Sequence, residues 1–550
     1  MRRRRAALCT VGLSAIAGAT FAGCDGSHRA TADVPTLLAP YQGQETGSVW
    51  SPRAAPNPLR PQFRWSPVPG AAGYEIQIDD SCLSPLPGGC SFPTPEIDAQ
   101  TTDSAFVPSA DLPVSMTPPV GRRYMWRVRS CDASGACGSW SRTNYVDVGR
   151  QRQDFNGDGY ADLAVAAGGS TPNAVFVYFG GPALPVSAGW TIRGDASPSP
   201  LDEGFGFRHL RWLGDLNGDG YADLAVGVER ESGDSVRIYF GGASPATDPA
   251  LEIADSASAG SSLWTLLASD LNGDGMADLF QAYWGEPSGT YVVSYGPSLG
   301  EGSAQTYIND PTVVATCDFD SDGYADLVTS DDHLLPGGPN GPFGGSGPRP
   351  IPAGGGRGAI ACPWNANGLG SASLLVDLGP GATAPRLELF SSPTTPGAAA
   401  CDGPLPALPP GPKGVGPAPP NGDAVADVGD ADGDGYDDLL VGDPRNNRAA
   451  LFFGGCPATR VSELPGLSDL GGNPYTGGAV AAAGDLDGDG FPDLAVANIY
   501  GNFDSVCSGE VYLYRGGVVV DTTPTSVLLD PDLPPPPGGC RGDGFGLALD

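Results

Sequence analysis

Six short stretches of this 550-residue chain concentrate side-chain oxygen in one repeated pattern. The first reads Asp154-Phe155-Asn156-Gly157-Asp158-Gly159-Tyr160-Ala161-Asp162-Leu163, and close copies begin at Asp215, Asp270, Asp318, Asp430 and Asp485. Aspartate holds positions one, five and nine, aspartate or asparagine holds position three, and glycine holds position six. Such a loop surrounds one point with hard donors, since the position-seven carbonyl can join the side chains and glycine permits the sharp turn. Calcium takes six to eight oxygen ligands, and water completes a shell of this kind. Without a cation, two carboxylates about 4 Å apart repel by on the order of 4 kcal/mol at an effective dielectric near 20. An empty loop would be strained, so the ion is expected to be structural. These are not EF-hands, which need a bidentate glutamate at position twelve and flanking helices. Position twelve here is Val165, Val226 or Val496, inside a run of strand formers. Acidic turns that bind nothing are the competing reading.

Other chemistry is thinly provided. The histidines are His28, His209 and His333, Lys413 is the sole lysine, and no HExxH or GxSxG constellation occurs. Acidic pairs can act as general acid and base, but nearly every clustered aspartate already has a cation to hold. The expectation is a protein that is not an enzyme. The absence of CxxC pairs, with so little histidine, argues against zinc. With 29 basic against 63 acidic residues, the formal charge of -34 repels phosphate backbones and anionic membranes, so no nucleic-acid partner is expected.

The elements that position these loops are β-strands. The chain carries 83 Gly and 56 Pro, which disfavour helix interiors and mark turns. Successive loops start 48 to 61 residues apart except for one interval of 112, about two repeats, between Asp318 and Asp430. Within that interval Cys362-Pro363-Trp364-Asn365-Ala366-Asn367-Gly368 keeps the Asn and Gly punctuation and has lost the acids, which makes seven units. In each unit an apolar run enters the loop, a strand leaves it, and an alternating strand ending in glycine follows, as in Val236-Arg237-Ile238-Tyr239-Phe240-Gly241. Three or four short strands per unit, repeated seven times, predict a seven-bladed β-propeller over residues 150–550. The second unit opens with Gly204-Phe205-Gly206, whereas nothing like it precedes Asp154. The segment Gly544-Phe545-Gly546-Leu547-Ala548-Leu549-Asp550 is expected to supply that strand and close the ring, a chain cut off inside an eighth repeat being the competing reading.

The region before the repeats reads differently. Arg2 to Arg5, an apolar run from Ala6 to Phe21 and small residues before Cys24 describe an export signal over residues 1–23. Phe21-Ala22-Gly23-Cys24 resembles a bacterial lipobox, in which Cys24 would be lipidated and residues 24–33 would form a tether. That implies an envelope lipoprotein facing the periplasm or the cell surface, or otherwise a secreted protein, touching membrane only through its anchor. Ten cysteines remain beyond Cys9 and Cys24, and in an exported chain an even number suggests disulfides. Cys82 with Cys90 and Cys131 with Cys137 are local candidates, while spacing leaves Cys317, Cys362, Cys401, Cys456, Cys507 and Cys540 unassigned. Residues 34–149 form a separate all-β module, with strands at Phe63-Arg64-Trp65, Tyr74 to Ile78, Phe106-Val107 and Tyr124 to Val128. They resemble the fibronectin type III sandwich, with Trp65 and Trp126 in its core.

The acidic repeats resemble the FG-GAP repeats of integrin α-subunit propellers and their bacterial relatives, the VCBS-type repeats. The resemblance covers residues 150–550 and implies about six structural calcium ions. The ligands it implies in the first three loops are Asp154, Asn156, Asp158, Tyr160 and Asp162; Asp215, Asn217, Asp219, Tyr221 and Asp223; and Asp270, Asn272, Asp274, Met276 and Asp278. In the all-acid loops they are Asp318, Asp320, Asp322, Tyr324 and Asp326; Asp430, Asp432, Asp434, Tyr436 and Asp438; and Asp485, Asp487, Asp489, Phe491 and Asp493. The residue at position seven acts through its backbone carbonyl. The same resemblance implies a monomeric, calcium-binding recognition or adhesion protein whose ligand is an extracellular protein or polysaccharide. A polysaccharide lyase or hydrolase on the same scaffold and a structural envelope component are the alternatives. Arg541-Gly542-Asp543 spells an integrin-binding tripeptide but overlaps a repeat opening and is read as chance. Trp264, Trp284 and Trp364 could form a sugar platform and are read instead as buried aromatics of the blades.

Overall fold

The computed structural model describes residues 34–51, 57–82, 84–86, 89–168, 173–194, 204–230, 233–254, 262–285, 288–296, 303–307, 313–320, 322–329, 333–342, 348–350, 358–362, 366, 373–377, 387–391, 401, 403–406, 425–444, 447–465, 476–498, 509–532, 545–546 and 548–550. The export signal, Cys24, the tether, Trp364, Cys507, Cys540 and Arg541-Gly542-Asp543 lie outside these residues. The described residues contain no α-helix, so none is long and apolar enough to cross a membrane.

Two sheets face each other at the amino-terminal end. One orders Leu37–Ala39, Phe63–Trp65 and Ala105–Phe106, and the other Gln44–Glu45, Asn144–Val148, Arg122–Cys131, Gly73–Asp79 and Ile97–Thr101. Alternation along Gly73–Asp79 sends Tyr74, Ile76 and Ile78 inward, where they meet Phe63, Trp65, Tyr124, Trp126 and Val128. Trp65 and Trp126 are fully buried, and Phe63 packs edge-on against Trp126 with centroids 5.1 Å apart.

The rest of the chain forms seven four-stranded antiparallel sheets. The second runs in chain order through Gly204–Gly214, Asp223–Glu229, Ser235–Tyr239 and Leu251–Ala254, and five others repeat that meander. The first differs: Leu163–Ala167, Ala174–Tyr178 and Trp190–Arg193 are joined at the leading edge by Ala548–Leu549. Ala548 pairs with Ala166 and Leu549 with Val165. The leading strands contact one another in a closed cycle, from Ala548–Leu549 through Gly204–Gly214, Ser262–Ser269, Val313–Cys317, Gly358–Ala361, Val425–Gly429 and Thr476–Gly484 back to Ala548–Leu549.

Apolar cores lie between consecutive sheets. Phe176 and Tyr178 of the first meet Leu513 and Leu528 of the seventh, while Val175 and Trp190 meet Phe205 and Val226 of the second. A strand packed on both faces loses its alternation, so Leu163–Ala167, Asp438–Asp443 and Asp493–Asn498 are buried at every position. The fourth and fifth units each form a four-stranded sheet. One aromatic expectation is corrected: Trp264 is 58% exposed on the leading strand of the third unit, beside a register shift between Leu263 and Thr265.

Candidate metal centres

In five units the acidic loop joins the leading strand to the next strand of its sheet, and in the first it precedes Leu163–Ala167, whose leading strand is Ala548–Leu549. Backbone N–H groups wire the six loops on one plan, with Gly218 N–H replacing that of position five on Asp215 Oδ1. In the first, Asp154 Oδ1 and Oδ2 accept the N–H groups of Asp158 and Gly159 at 2.9 and 2.7 Å. Asp158 Oδ1 accepts the Tyr160 N–H at 3.0 Å, as position five does for position seven in every loop. Asp162 Oδ2 reaches back to the Phe155 N–H, and its Oδ1 accepts the N–H of Gly180, beyond the third strand, both at 2.9 Å. The position-nine acid thus ties loop and sheet together, through Gly241, Gly296, Gly337, Gly454 and Gly516 in the other units. Gly157 and Gly159 hold φ of 75° and 90°, a region that side chains avoid.

The loops also bind one another around the cycle. The Ala161 N–H donates to the Asp485 carbonyl, that of Ala222 to Asp154 and that of Ala325 to Asp270, at 3.2, 3.0 and 3.0 Å. A Cβ placed on Gly157 would lie 2.3 Å from Tyr221, and one on Gly488 would lie 2.5 Å from Tyr160. The side chain at position seven therefore covers the glycine of the preceding loop. The degenerate unit keeps this register, because Gly455 N–H donates to Ala366 O as Gly517 N–H does to Ala431 O, each at 2.8 Å. Asn365, Leu369 and Ser373 consequently stand at positions one, five and nine of the fifth unit, without a carboxylate among them.

In the all-acid loops the structure converges positions one, three and nine. The sets Asp318, Asp320 and Asp326; Asp430, Asp432 and Asp438; and Asp485, Asp487 and Asp493 each bring one carboxylate oxygen per residue within 4.8 Å of the others. Position five, Asp322, Asp434 or Asp489, stands outside those triplets. Asp162, Asp223, Asp278, Asp326, Asp438 and Asp493 are fully buried. Burial pushes Asp223, Asp278, Asp326, Asp438 and Asp493 up to about 8, and the remaining loop acids add repulsion. Burial likewise lifts Asp154, Asp270, Asp318 and Asp485 to about 7. Asp320 Oδ1 is buried and has no hydrogen-bond partner among the described residues. Converging buried oxygens, one of them without a donor, fit a hard divalent cation.

Three features escaped the sequence reading. Arginines pair with the position-three acid of each all-acid loop: Arg349 with Asp320, Arg460 with Asp432 and Arg515 with Asp487. Their distance along the chain leaves no local signal. The two-sheet module meets the loops through Ser48, Trp50, Ser84, Val120 and Arg123. Disulfides join not only Cys82 to Cys90 and Cys131 to Cys137 but also Cys317 to Cys362 and Cys401 to Cys456.

Comparison with known proteins agrees with the repeat pattern. Residues 154–179 and 476–514 match the FG-GAP repeat, and residues 215–281 match the FG-GAP-like repeat. The chain carries FG-GAP repeats. Over 104 residues it is 31% identical to integrin alpha-6 of Homo sapiens, covering 19% of this chain and 8% of that protein. Among solved structures, the exotype rhamnogalacturonan lyase YesX covers 87% of this chain and 91% of its own at a TM-score of 0.30 and 10% identity. The rhamnogalacturonan lyase YesW covers 86% and 89% at a TM-score of 0.30 and 11% identity. At these scores the likeness carries no argument about activity.

Proposed function

We propose that this chain is an exported, calcium-loaded, seven-bladed propeller behind a fibronectin type III-like sandwich, and that it serves as a non-catalytic recognition or adhesion protein. The observation that carries the reading is the convergence of buried carboxylates in loops wired into the sheet edges. Six of the seven units have such a loop, directly before the second strand of the sheet. Asp154, Asn156, Asp158, Asp162 and their counterparts would hold calcium, with the carbonyl of Tyr160 or its equivalent. The ion would neutralise the acids and stiffen the loop. The four disulfides support an oxidising, extracytoplasmic location.

The ligand is proposed to be a protein or polysaccharide outside the cell. Trp264 supports a binding face at the end of its strand remote from Asp270, because an exposed indole offers a stacking surface. The test is a glycan and protein binding screen with the full chain in calcium and in EGTA, run beside assays for polysaccharide turnover. Calcium-dependent capture without turnover is the expected result. Turnover of a polysaccharide would overturn the non-catalytic reading, and a melting temperature indifferent to calcium would overturn the calcium reading.

A further inference from the structure

The loops fall into two classes, three with asparagine and three with aspartate at position three. Where position three is asparagine, its Nδ2 donates to the position-five carboxylate: Asn156 to Asp158, Asn217 to Asp219 and Asn272 to Asp274, at 2.9, 3.0 and 3.1 Å. Its Oδ1 accepts the position-five N–H at 2.9, 2.9 and 2.8 Å. In two of the three all-acid loops aspartate at position three preserves the second bond, since the Asp434 N–H donates to Asp432 Oδ1 at 3.3 Å and the Asp489 N–H to Asp487 Oδ1 at 3.2 Å, whereas Asp320 Oδ1 has no hydrogen-bond partner among the described residues. It cannot make the first, and it adds a charge beside the position-five acid.

In every all-acid loop an arginine pairs with the position-three acid, and in one it also reaches position five. Arg460 Nη2 lies 2.5 Å from Asp432 Oδ2, and its Nη1 lies 3.3 Å from Asp434 Oδ2, so one guanidinium bridges positions three and five. Arg349 Nη1 donates to Asp320 Oδ2 at 3.0 Å, and Arg515 forms an ion pair with Asp487. Among the described residues no arginine pairs with the position-five acid of an asparagine loop. These arginines do not share one repeat position: Arg349 and Arg460 begin the outermost strands Arg349–Pro350 and Arg460–Pro465, whereas Arg515 follows Glu510–Tyr514. Copying of one repeat does not account for them, but charge does. Counting only the guanidinium at position three, a four-acid loop carries the same formal charge as a three-acid loop, and one loop of each class has a further arginine 3.9 Å from its position-one acid, Arg142 beside Asp318 and Arg150 beside Asp215.

We propose that the aspartate–arginine pair replaces the position-three asparagine, with Arg349, Arg460 and Arg515 acting as positioning residues that set the charge offered to the cation. The proposal rests on the calcium reading and makes the two loop classes comparable cation sites. Its test uses the full chain as R460Q, D432N and D432N/R460Q, melted in EGTA and in calcium, with calorimetric calcium titration. R460Q should melt about 2 °C lower in EGTA and gain more from calcium than the parent, because an extra unscreened acid destabilises the empty loop. D432N/R460Q should return both quantities to parental values. Arg460 also stacks on Phe453, 4.1 Å from the ring centroid, and D432N cannot restore that contact. Rescue therefore reports charge matching, whereas an unrescued double variant, or an R460Q melt in EGTA equal to the parent, overturns the proposal. If R460Q does not fold, R515Q with D487N asks the same question in the seventh unit. A parent that ignores calcium would sink the calcium reading, while the EGTA comparison still judges the pair.

Discussion

The indole of Trp50 stacks on the ring of Tyr160 with centroids 5.9 Å apart, and its Nε1 donates to the Asp158 carbonyl at 2.9 Å. Trp50 belongs to the two-sheet module and Tyr160 holds position seven of the first loop, so the module rests on the loop itself. Ser48 Oγ donates to Gly159 O at 2.7 Å, Val120 N–H to Gly157 O at 3.0 Å and Ser84 Oγ to Asp274 O at 3.2 Å. Those carbonyls are in place only when the loop is folded, so a cation that folds the loop should also strengthen docking. Trp50→Ala should cost about 1–2 kcal/mol, from one ring contact and one hydrogen bond. Limited proteolysis should separate the module faster in W50A than in the parent, and faster for both in EGTA. Equal cleavage in all four samples would refute the coupling.

Acid should act in opposite directions with and without metal. In EGTA, burial and neighbouring carboxylates hold Asp278, Asp326 and Asp493 at about 8 and Asp154 and Asp270 at about 7. An unfolded aspartate titrates near 3.9, so their stabilising contribution is complete below that value and is lost as pH rises through 7 to 8. The melting temperature in EGTA should therefore climb as pH is lowered from 8 to about 5. Calcium favours the ionised form and inverts the sign, so stability should fall with pH when calcium is present. Parallel melting curves across that range would exclude cation binding by these acids.

The segment at Phe545 should stabilise far out of proportion to its length. Phe545 is fully buried, 6.0 Å from the Phe176 ring and 6.4 Å from that of Tyr178, and Gly546 N–H donates to Ala166 O at 3.0 Å. Phe545→Ala is expected to cost about 3–5 kcal/mol. Deleting residues 545–550 should lower the melting temperature further, because Leu163–Ala167 also loses the strand paired on its leading side. An unchanged melt in the deletion would rule out the closing role.

Legibility in the sequence followed the range of the forces involved. The loops could be read from Asp154 to Asp493 because one turn geometry and one charge requirement act within nine residues, and strands such as Val236 to Tyr239 because alternation is local. The leading place of Ala548–Leu549 could be inferred because Gly544-Phe545-Gly546 copies Gly204-Phe205-Gly206. Partners across units left no such mark. Arg460 and Asp432 meet through sheet pairing, Trp50 and Tyr160 through packing between modules, and neither spacing is a repeat period. Trp264 was misjudged because a register shift turns it outward.

The fifth unit should depend on covalent bonds where its neighbours depend on metal. Its loop has lost every acid, and two disulfides flank it: Cys317–Cys362 ties it to the fourth unit and Cys401–Cys456 to the sixth. Closing chain segments of 45 and 55 residues restricts the unfolded ensemble by roughly 4 kcal/mol each in the chain-entropy account. Hydrogen exchange can separate the two dependencies. With disulfides intact, EGTA should raise exchange in Asp223–Glu229 and Asp493–Asn498 more than in Ser373–Asp377, since only the former begin at a loop acid. Cys362→Ser with Cys401→Ser should reverse that order, loosening Ser373–Asp377 in saturating calcium. If EGTA instead loosens Ser373–Asp377 as much as Asp223–Glu229, or the double serine variant leaves it protected, the disulfides do not take the place of the missing ion.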